Sequence, residues 1–533
     1  MKRGFFFLFL ALGSLLTIQA QPKVMVGIVV DQMRYDFLAR YGDRFCDSGF
    51  KRLMNEGFTY TNAQYNYVPT YTGPGHASIY TGTTPSNHGI VANDWFDRSK
   101  GDLMYCSEDT GVDGVGSTSK GMSPKNLYVI TLTDQLALST SGRSKIIGIS
   151  VKDRSAIFPA GHAATGAYWF DPKVGKLVSS TWYRNKLPDW MTSFNKQGKA
   201  LSYLDQTWNT LYPIDTYTAS APDNNPYEGQ LNKGNPPVFP YDLNTLQKDW
   251  GYKLLSFTPY SNSYLVDAAL AALEGEKMGE DAYCDFLCLS FSATDYAGHF
   301  FGPQAVEVED MYLRLDLEIA RLLSAMDAKF GKGNYSVFLT ADHGANEVPK
   351  LLNDYGMPGG VFRTDSIKSI LELALTAKFG SNLILGIYNE QVYFDHAKII
   401  ELKLTENEVA LFCQDILQEE IEVYRAWTLE EVMNGRTEYL ELIRNGYHPK
   451  RSGDLFIQTM PGWMENWSYG TTHGSGYSYD THVPILFFGY GIEAGKSSRK
   501  VSITDIAPSM SEVLGIQYPN ACTGQVLFEA VGY

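Results

Sequence analysis

Short, near-continuous apolar runs that break off at charged or polar residues constrain this chain more than any other feature. Val24–Val30 runs into Asp31, Lys145–Val151 into Lys152, Asp285–Phe291 toward Asp295, and Tyr335–Thr340 into Asp342 and His343. Val483–Phe488 follows His473 and His482. Runs of this length without polar alternation fit strands covered on both faces. Helical patterns alternate with them. Residues 304–329 place Met311, Leu315, Ile319, Leu322 and Met326 near helical spacing, and 366–378, 405–419 and 504–514 read similarly. Strand, helix, strand in this order predicts an α/β fold, a mostly parallel central sheet flanked by helices on both faces. Ligands of such sheets bind beyond the carboxyl ends of the strands. Asp31, Lys152, Asp295, Asp342 and His343 fall there.

The span from about 156 to 255 breaks the pattern. Asp223-Asn224-Asn225-Pro226 and Lys233-Gly234-Asn235-Pro236-Pro237 are turn signals, and periodicity is weak. An irregular insertion packed beside the sheet is expected. Residues 1–20 read as a signal peptide: Lys2 and Arg3, an apolar run from Gly4 to Leu16, then small Ala20. The remaining 21–533 is expected to be one catalytic domain, exported to the periplasm or medium. No later stretch is apolar for the roughly 20 residues that a membrane span needs, so no membrane anchor is expected, and a monomer is. The six cysteines allow 15 pairings. Cys284 and Cys288 on one strand would stand about 13 Å apart, too far to bridge. No Cys-x-x-Cys occurs. Asn334-Tyr335-Ser336 and Asn466-Trp467-Ser468 match the glycosylation sequon, a short pattern that often arises by chance. Acidic residues outnumber basic ones, 59 to 44, for a net charge of −15. That balance argues against nucleic-acid binding. It also requires any site for an anionic ligand to carry its own positive charge.

The chemistry concentrates in a few polar clusters. Asp295 and His299 stand four residues apart, on one face of a helical turn. Asp342-His343 follows a strand directly, Thr472-His473-Gly474 supplies a further imidazole, and Asp31 is another strand-end carboxylate. A lone Asp-His pair is usually structural, but several at strand ends suit a metal centre, since zinc accepts imidazole and carboxylate donors. Residues 69–78, Pro-Thr-Tyr-Thr-Gly-Pro-Gly-His-Ala-Ser, read as a loop entering a helix. A hydroxyl there is either an N-cap or a nucleophile at the positive end of a helix. Composition does not choose between Thr70, Thr72 and Ser78.

Taken in order, Val30-Asp31-Gln32-Met33-Arg34, Pro69-Thr70-Tyr71-Thr72-Gly73-Pro74-Gly75-His76, Thr81–Ile90, Asp295-x-x-x-His299, Ala341-Asp342-His343-Gly344 and His473-Gly474-Ser475 resemble the alkaline phosphatase superfamily. More narrowly, the chain resembles the exported phosphate-irrepressible alkaline phosphatases with a Thr nucleophile, relatives of the nucleotide pyrophosphatase/phosphodiesterases. The match spans nearly all of 21–533. The resemblance implies two zinc ions per chain, one held by Asp31, Thr72, Asp342 and His343, the other by Asp295, His299 and His473. It implies Thr72 as nucleophile, with Asn93, Lys152 and Arg154 binding the phosphoryl oxygens of small phosphate monoesters. Lys152 and Arg154 are the pair that the monoesterase branch carries and the diesterase branch lacks. In most sequences Asn93 would be a turn residue, and Lys152 and Arg154 a solvated salt-bridge ladder around Asp153. No Cys-x-Pro-x-Arg run occurs, which disfavours the sulfatase branch. Two other readings stand beside this one: a phosphodiesterase or nucleotide pyrophosphatase of the same fold, and an exported metal-binding protein without turnover. His76, His88, His162, His396, His448 and His482 read as structural or surface histidines.

Overall fold

The computed structural model describes residues 21–465 and 469–532. The expected signal peptide and the Asn466-Trp467-Ser468 sequon lie outside the described residues. The main sheet is built on β1 (Val24–Val30), β2 (Phe58–Gln64), β3 (Glu108–Val115), β4 (Ile146–Ser150), β5 (Gly166–Asp171), β6 (Lys176–Ser180), β7 (Asp285–Phe291), β8 (Tyr335–Thr340) and β9 (His482–Gly489). They lie in the order β2-β9-β8-β1-β7-β4-β5-β6-β3, and short flanking strands bring the sheet to twelve.

The centre of the sheet is parallel. β1 pairs with β7 and β8 in matched register, Val24 opposite both Asp285 and Tyr335, and β4 joins β7 and β5 in the same sense. Every residue of β1, β4, β7 and β8 is buried, which is why these runs carry no polar alternation. β9 runs against β8 and β2. Its amino end therefore lies at the same edge as the carboxyl ends of the parallel strands. That reversal delivers the segment around His473 to the edge where Asp31, Asp295 and Asp342 already stand.

Helices cover both faces. α1 (Thr72–Thr81), α2 (Asp153–Ala160), α3 (Ala293–Phe301) and α4 (Val306–Phe330) position the candidate site. α4 buries Met311, Leu315, Ile319, Leu322 and Met326, each stabilising the fold by roughly 1.5–3 kcal/mol. It ends at Gly331, whose φ of 85° takes the chain out of helical geometry at no steric cost. α1 is buried along its whole length. It packs so closely that a Cβ on Gly27 of β1 would overlap the Tyr80 hydroxyl and the Phe338 ring.

The structure departs from the expected irregular insertion in one respect. Within 156–255, β5 and β6 belong to the main sheet, and β5 is buried throughout, so no alternation revealed it. The rest is turns, short helices such as Asp189–Lys196 and Leu243–Trp250, and a two-stranded pairing of Thr207–Trp208 with Tyr241–Asp242, packed onto the central core through Trp208, Leu231 and Tyr241. A second feature was not foreseen. Ile384–Tyr388, Gln391–Phe394, Leu455–Thr459 and Val423–Thr428 form a separate four-stranded antiparallel sheet. It has its own core, including Ile367, Leu371, Val409 and Leu455. The helices expected at 366–378 and 405–419 are its cover, observed as Thr364–Phe379 and Glu406–Leu417. All six cysteines are free.

Candidate metal and phosphoryl site

Most of the candidate residues sit where the chain leaves a strand at the carboxyl edge. Asp31 follows β1, Lys152 and Arg154 open α2 after β4, Asp295 lies in the first turn of α3 after β7, and Asp342 and His343 follow β8. Thr72 is the first residue of α1, with Tyr71 as N-cap and no side-chain cap hydrogen bond. The capping role open to Thr72 is thus not taken up, and Thr70 donates instead to the Ser475 carbonyl, at 3.0 Å.

The three imidazoles are oriented alike. The Nδ1–H of His299 donates to Thr471 O (2.7 Å), that of His343 to Gly344 O (2.9 Å) and that of His473 to Thr70 O (2.7 Å). Fixing Nδ1 as the donor leaves the Nε2 lone pair of each ring for an electrophile. All three Nε2 atoms face carboxylates: His299 Nε2 is 3.1 Å and His473 Nε2 3.6 Å from Asp295 Oδ1, and His343 Nε2 is 3.5 Å from both Asp31 and Asp342. Burial drives the His343 imidazole down to about 3. Burial and then the neighbouring rings of His343 and His299 drive His473 well below the usual range. Both rings are therefore neutral, the state a metal accepts. His343 stacks on His473 with centroids 3.4 Å apart.

The carboxylates are held by a small network. Lys152 Nζ bridges Asp31 Oδ2 (2.8 Å) and Asp295 Oδ2 (2.5 Å). Burial opposes the lysine charge, but Asp295 and Asp31 outweigh it and raise its pKa. Gln32, at a positive φ of 64°, donates its backbone N–H to Asp342 Oδ1 (3.1 Å) and its amide to Asp295 Oδ1 (2.8 Å). Burial penalises the Asp295 charge, yet His299 and Lys152 hold its pKa well below the carboxylate range. Asp342 moves the other way: burial, then Asp31, raises it well above that range.

A divalent cation fits the donors that are present. Asp31 Oδ1, Asp342 Oδ2 and His343 Nε2 are buried and receive no hydrogen bond. One donor atom from each of Asp31, Asp342 and His343 lies within 4.8 Å of the others, as does one from each of Asp295, His343 and His473. An unpaired buried carboxylate is costly, and a cation relieves the cost. His343 thus stands between the two donor groups, where the resemblance implied it for one alone. The mixed N/O donors suit zinc and other borderline divalent metals. A third group, His396, Glu406 and Asp454, has a different character. His396 turns Nε2 to Asp454 and Nδ1 to Glu406, and Asp454 is already paired with Arg98.

Of the remaining candidates, Asn93 reaches the start of α1 beside Thr72, while Lys152 and Arg154 stand at the opening of α2. Asn93 Oδ1 accepts the Gly73 N–H at 2.8 Å, which aligns the Asn93 side chain with the start of α1 and leaves its amide hydrogens for another acceptor. The Lys152 side chain is 3% exposed, so it is no solvated ladder. Arg154 donates through Nη1 to the Tyr105 hydroxyl (2.9 Å), which donates to Asp153 Oδ1 (2.5 Å), and Arg154 Nε is buried without a partner. Gln32 and Tyr105 have no role in the sequence reading, where His76 reads as a structural or surface histidine. His76 is buried, with Nδ1 2.9 Å from Thr72 O and Nε2 2.8 Å from Ser290 Oγ, and burial pushes its pKa down to about 4. The only hint was their place inside or beside motifs.

Known proteins resemble this chain over nearly its whole length. Residues 25–478 match the family described as type I phosphodiesterase / nucleotide pyrophosphatase. Alkaline phosphatase PafA of Elizabethkingia meningoseptica is 43% identical over 521 residues, covering 96% of this chain and 95% of that protein. Its wild-type crystal structure superposes with a TM-score of 0.93 over 96% of this chain and 99% of that one. A protein of Myroides odoratus named calcium-transporting ATPase is 44% identical over 520 residues (96% and 95%). Alkaline phosphatase PhoV of Synechococcus elongatus is 42% identical over 512 residues (95% and 92%).

Proposed function

The chain belongs to the type I phosphodiesterase/nucleotide pyrophosphatase family, and from that membership we propose a phosphomonoester hydrolase, an alkaline phosphatase that works through a phospho-threonine on Thr72 and uses two zinc ions. The activity follows relatives named alkaline phosphatase at 42–43% identity over almost the full chain. Zinc and the individual residue roles are this proposal's own. Asp31, Thr72, Asp342 and His343 would hold one ion, and Asp295, His299 and His473 the other. Bound there, zinc supplies Lewis acidity that lowers the pKa of a coordinated hydroxyl and neutralises charge on phosphoryl and leaving oxygens.

The chain's own groups do the rest. Thr72 Oγ forms the bond to phosphorus as the ester P–O bond breaks, and the leaving alkoxide takes up a proton. Water then attacks the phospho-threonine, freeing inorganic phosphate and restoring the Thr72 hydroxyl. The loose transition state of a monoester carries its charge on the peripheral oxygens. The Asn93 amide, the Lys152 ammonium and the Arg154 guanidinium donate to them, and the positive end of α1 adds to the field. These charges answer the need of an acidic protein for a locally positive site.

One observation carries the monoester reading: Lys152 is buried and Arg154 half-buried at the strand edge that holds Asp31 and Asp295, and Arg154 Nε has no hydrogen-bond partner. A diester has one ionised peripheral oxygen fewer and needs less of this charge. The name of the Myroides odoratus relative falls within the same chemistry, since the terminal phosphoryl of ATP is such a dianion. Among the described residues, however, no helix is long and apolar enough to cross a membrane.

The test is to quench turnover of a labelled monoester in acid. Wild type should retain one phosphoryl group per chain, Thr72→Ser should keep it, and Thr72→Ala should lose it. Label that persists in Thr72→Ala would exclude Thr72 as nucleophile, and label absent from a metal-replete active enzyme would exclude the covalent route. Elemental analysis alongside should find two zinc ions per chain. The signal peptide and export belong to this proposal too, and amino-terminal sequencing of the secreted product checks them.

A further inference from the structure

The start of α4 carries three buried acids, Glu307, Glu309 and Asp310, and two of them are answered. Glu309 receives Arg44 (2.5 Å) and Ser220 (2.7 Å). Asp310 receives Trp208, Leu211 N–H, Tyr217 and Arg314, all within 2.8 Å. Glu307 is not answered in this way. Its Oε1 accepts the Tyr241 hydroxyl, and its Oε2 is buried with no hydrogen bond.

The groups that face Glu307 are themselves acidic. Glu228 is 7% exposed, and neither of its carboxylate oxygens receives a hydrogen bond. Its charged neighbours are Glu307 and Asp223, while Asp223 and Asp310 act on Glu307. Asp223 accepts only the Phe239 N–H, at 3.2 Å. No lysine or arginine is among these charged neighbours, Asn225 is the polar side chain that faces Glu228, and both oxygens of Glu228 and one of Glu307 are buried without a hydrogen bond within 3.5 Å. Buried carboxylates are normally paired, hydrogen-bonded or bound to a cation.

We propose that Glu228 and Glu307, joined by Asp223, form a calcium-binding site separate from the catalytic centre. The donors are oxygen alone, with no imidazole or thiol, which selects a hard cation over zinc. Calcium takes carboxylates in one- or two-oxygen modes together with carbonyls and water, and tolerates irregular geometry, whereas magnesium demands a near-ideal octahedron. The loop Asp223-Asn224-Asn225-Pro226-Tyr227-Glu228 is rich in such oxygens. The three acids do not form a compact three-donor group of the catalytic kind. Calcium would therefore draw this loop onto the start of α4, with Asp223 joining directly or through water.

That loop is fastened to the catalytic edge. Gly229 N–H donates to Phe300 O (2.7 Å) on α3, the helix that carries Asp295 and His299. Gly470 N–H, three residues before His473, donates to Tyr227 O (2.9 Å). Ala221 N–H donates to Gln304 O (2.7 Å) ahead of α4. Calcium here would brace the wall behind His299 and His473.

The test uses zinc-loaded full-length protein and needs no turnover. Terbium, an oxygen-seeking calcium probe, should light up by energy transfer from Trp208 and Tyr241, whose rings lie 5.5 Å apart and one of which bonds Glu307. Calcium should displace one terbium per chain and raise Tm. Glu228→Gln and Glu307→Gln, near-isosteric changes, should each weaken terbium binding ~10–100-fold, as the loss of a metal-site partner does, with two zinc ions per chain retained. Terbium emission unchanged in both variants would overturn the site. So would a wild-type Tm indifferent to calcium and EGTA, which would leave the two glutamates simply protonated.

Discussion

Arg154→Ala is the substitution that most sharply separates a monoesterase from a diesterase of the same fold. Tyr105 takes one N–H of the guanidinium, at 2.9 Å, and is itself anchored on Asp153. That contact orients the fork and leaves Nε, which is buried and without a protein partner, for a phosphoryl oxygen. Two charge-assisted hydrogen bonds from Arg154 to a dianion contribute roughly 1.5–3 kcal/mol each, or about 3–6 kcal/mol together. At 1.36 kcal/mol per decade, kcat/KM for an aryl monoester should fall ~10²–10⁴-fold. A diester with the same leaving group offers one ionised oxygen fewer, engages about one of those bonds, and should fall only ~10–10²-fold. The monoester preference therefore drops by at least about tenfold. Lys152 is a poorer test because it also neutralises Asp31 and Asp295, so its removal mixes catalysis with the cost of unpaired buried charge. Tyr105→Phe keeps the arginine and frees the fork, and should cost less than Arg154→Ala while moving in the same direction. The assay is paired kcat/KM on the two esters, with Tm as a control for folding. Equal fold-losses on both substrates, or a monoester loss below tenfold, would refute the reasoning.

Three further expectations follow from the geometry. Gly75→Ala places a Cβ against the backbone oxygen and Cβ of Asp342, where neither main chain yields easily. It should cost about 1–3 kcal/mol of stability and lower bound zinc below two per chain, measured by denaturant unfolding and elemental analysis. Chelation of the protein should lower Tm and abolish phosphate release, and zinc should restore both. A Tm unchanged by chelation would remove the case that a metal relieves the buried carboxylates. His162 and Asp134, 2.8 Å apart, give a pH signature. Burial opposes the imidazolium, but Asp134 raises the His162 pKa above 6.5. Burial likewise opposes the carboxylate, but His162 lowers the Asp134 pKa below 3.8. The aspartate's contribution is present above its unfolded pKa and lost as pH falls through the folded value. The histidine's is present below 6.5 and lost as pH rises through its folded value. The Tm gap between wild type and His162→Gln should thus be widest near pH ~5–6 and narrow by pH ~9, and a gap that widens toward pH 9 would contradict the assignment.

The legible parts of the chain share a physical cause. Strands β1, β7 and β8 end where the apolar runs end, because an unpaired charge is costly between two covered faces. Asp295 and His299 share a helical face because residues four apart always do. What escaped notice depends on partners distant in the chain. β5 and β6 look irregular because aromatic and small residues fill a buried flank without periodicity. The four-stranded sheet over 384–459 was hidden because its strands arrive from separated stretches. Tyr105 becomes relevant only when α2 packs against it, and Glu228 and Glu307, 79 positions apart in the chain, become a pair only when the loop folds over α4.

The residues alone settled the fold class and the kinds of donor available, since both follow from short-range rules: apolar runs, helical spacing, and the chemistry of imidazole, carboxylate and hydroxyl; the family came from the resemblance of its motifs taken in order. Only the tertiary structure decided that His343 lies between both donor groups, that Lys152 is buried and Arg154 is held by Tyr105 rather than solvated, and which imidazoles stay neutral. Those properties arise from desolvation and from charges brought within a few ångströms by β9 running backwards across the sheet, and no local stretch of chain contains that information.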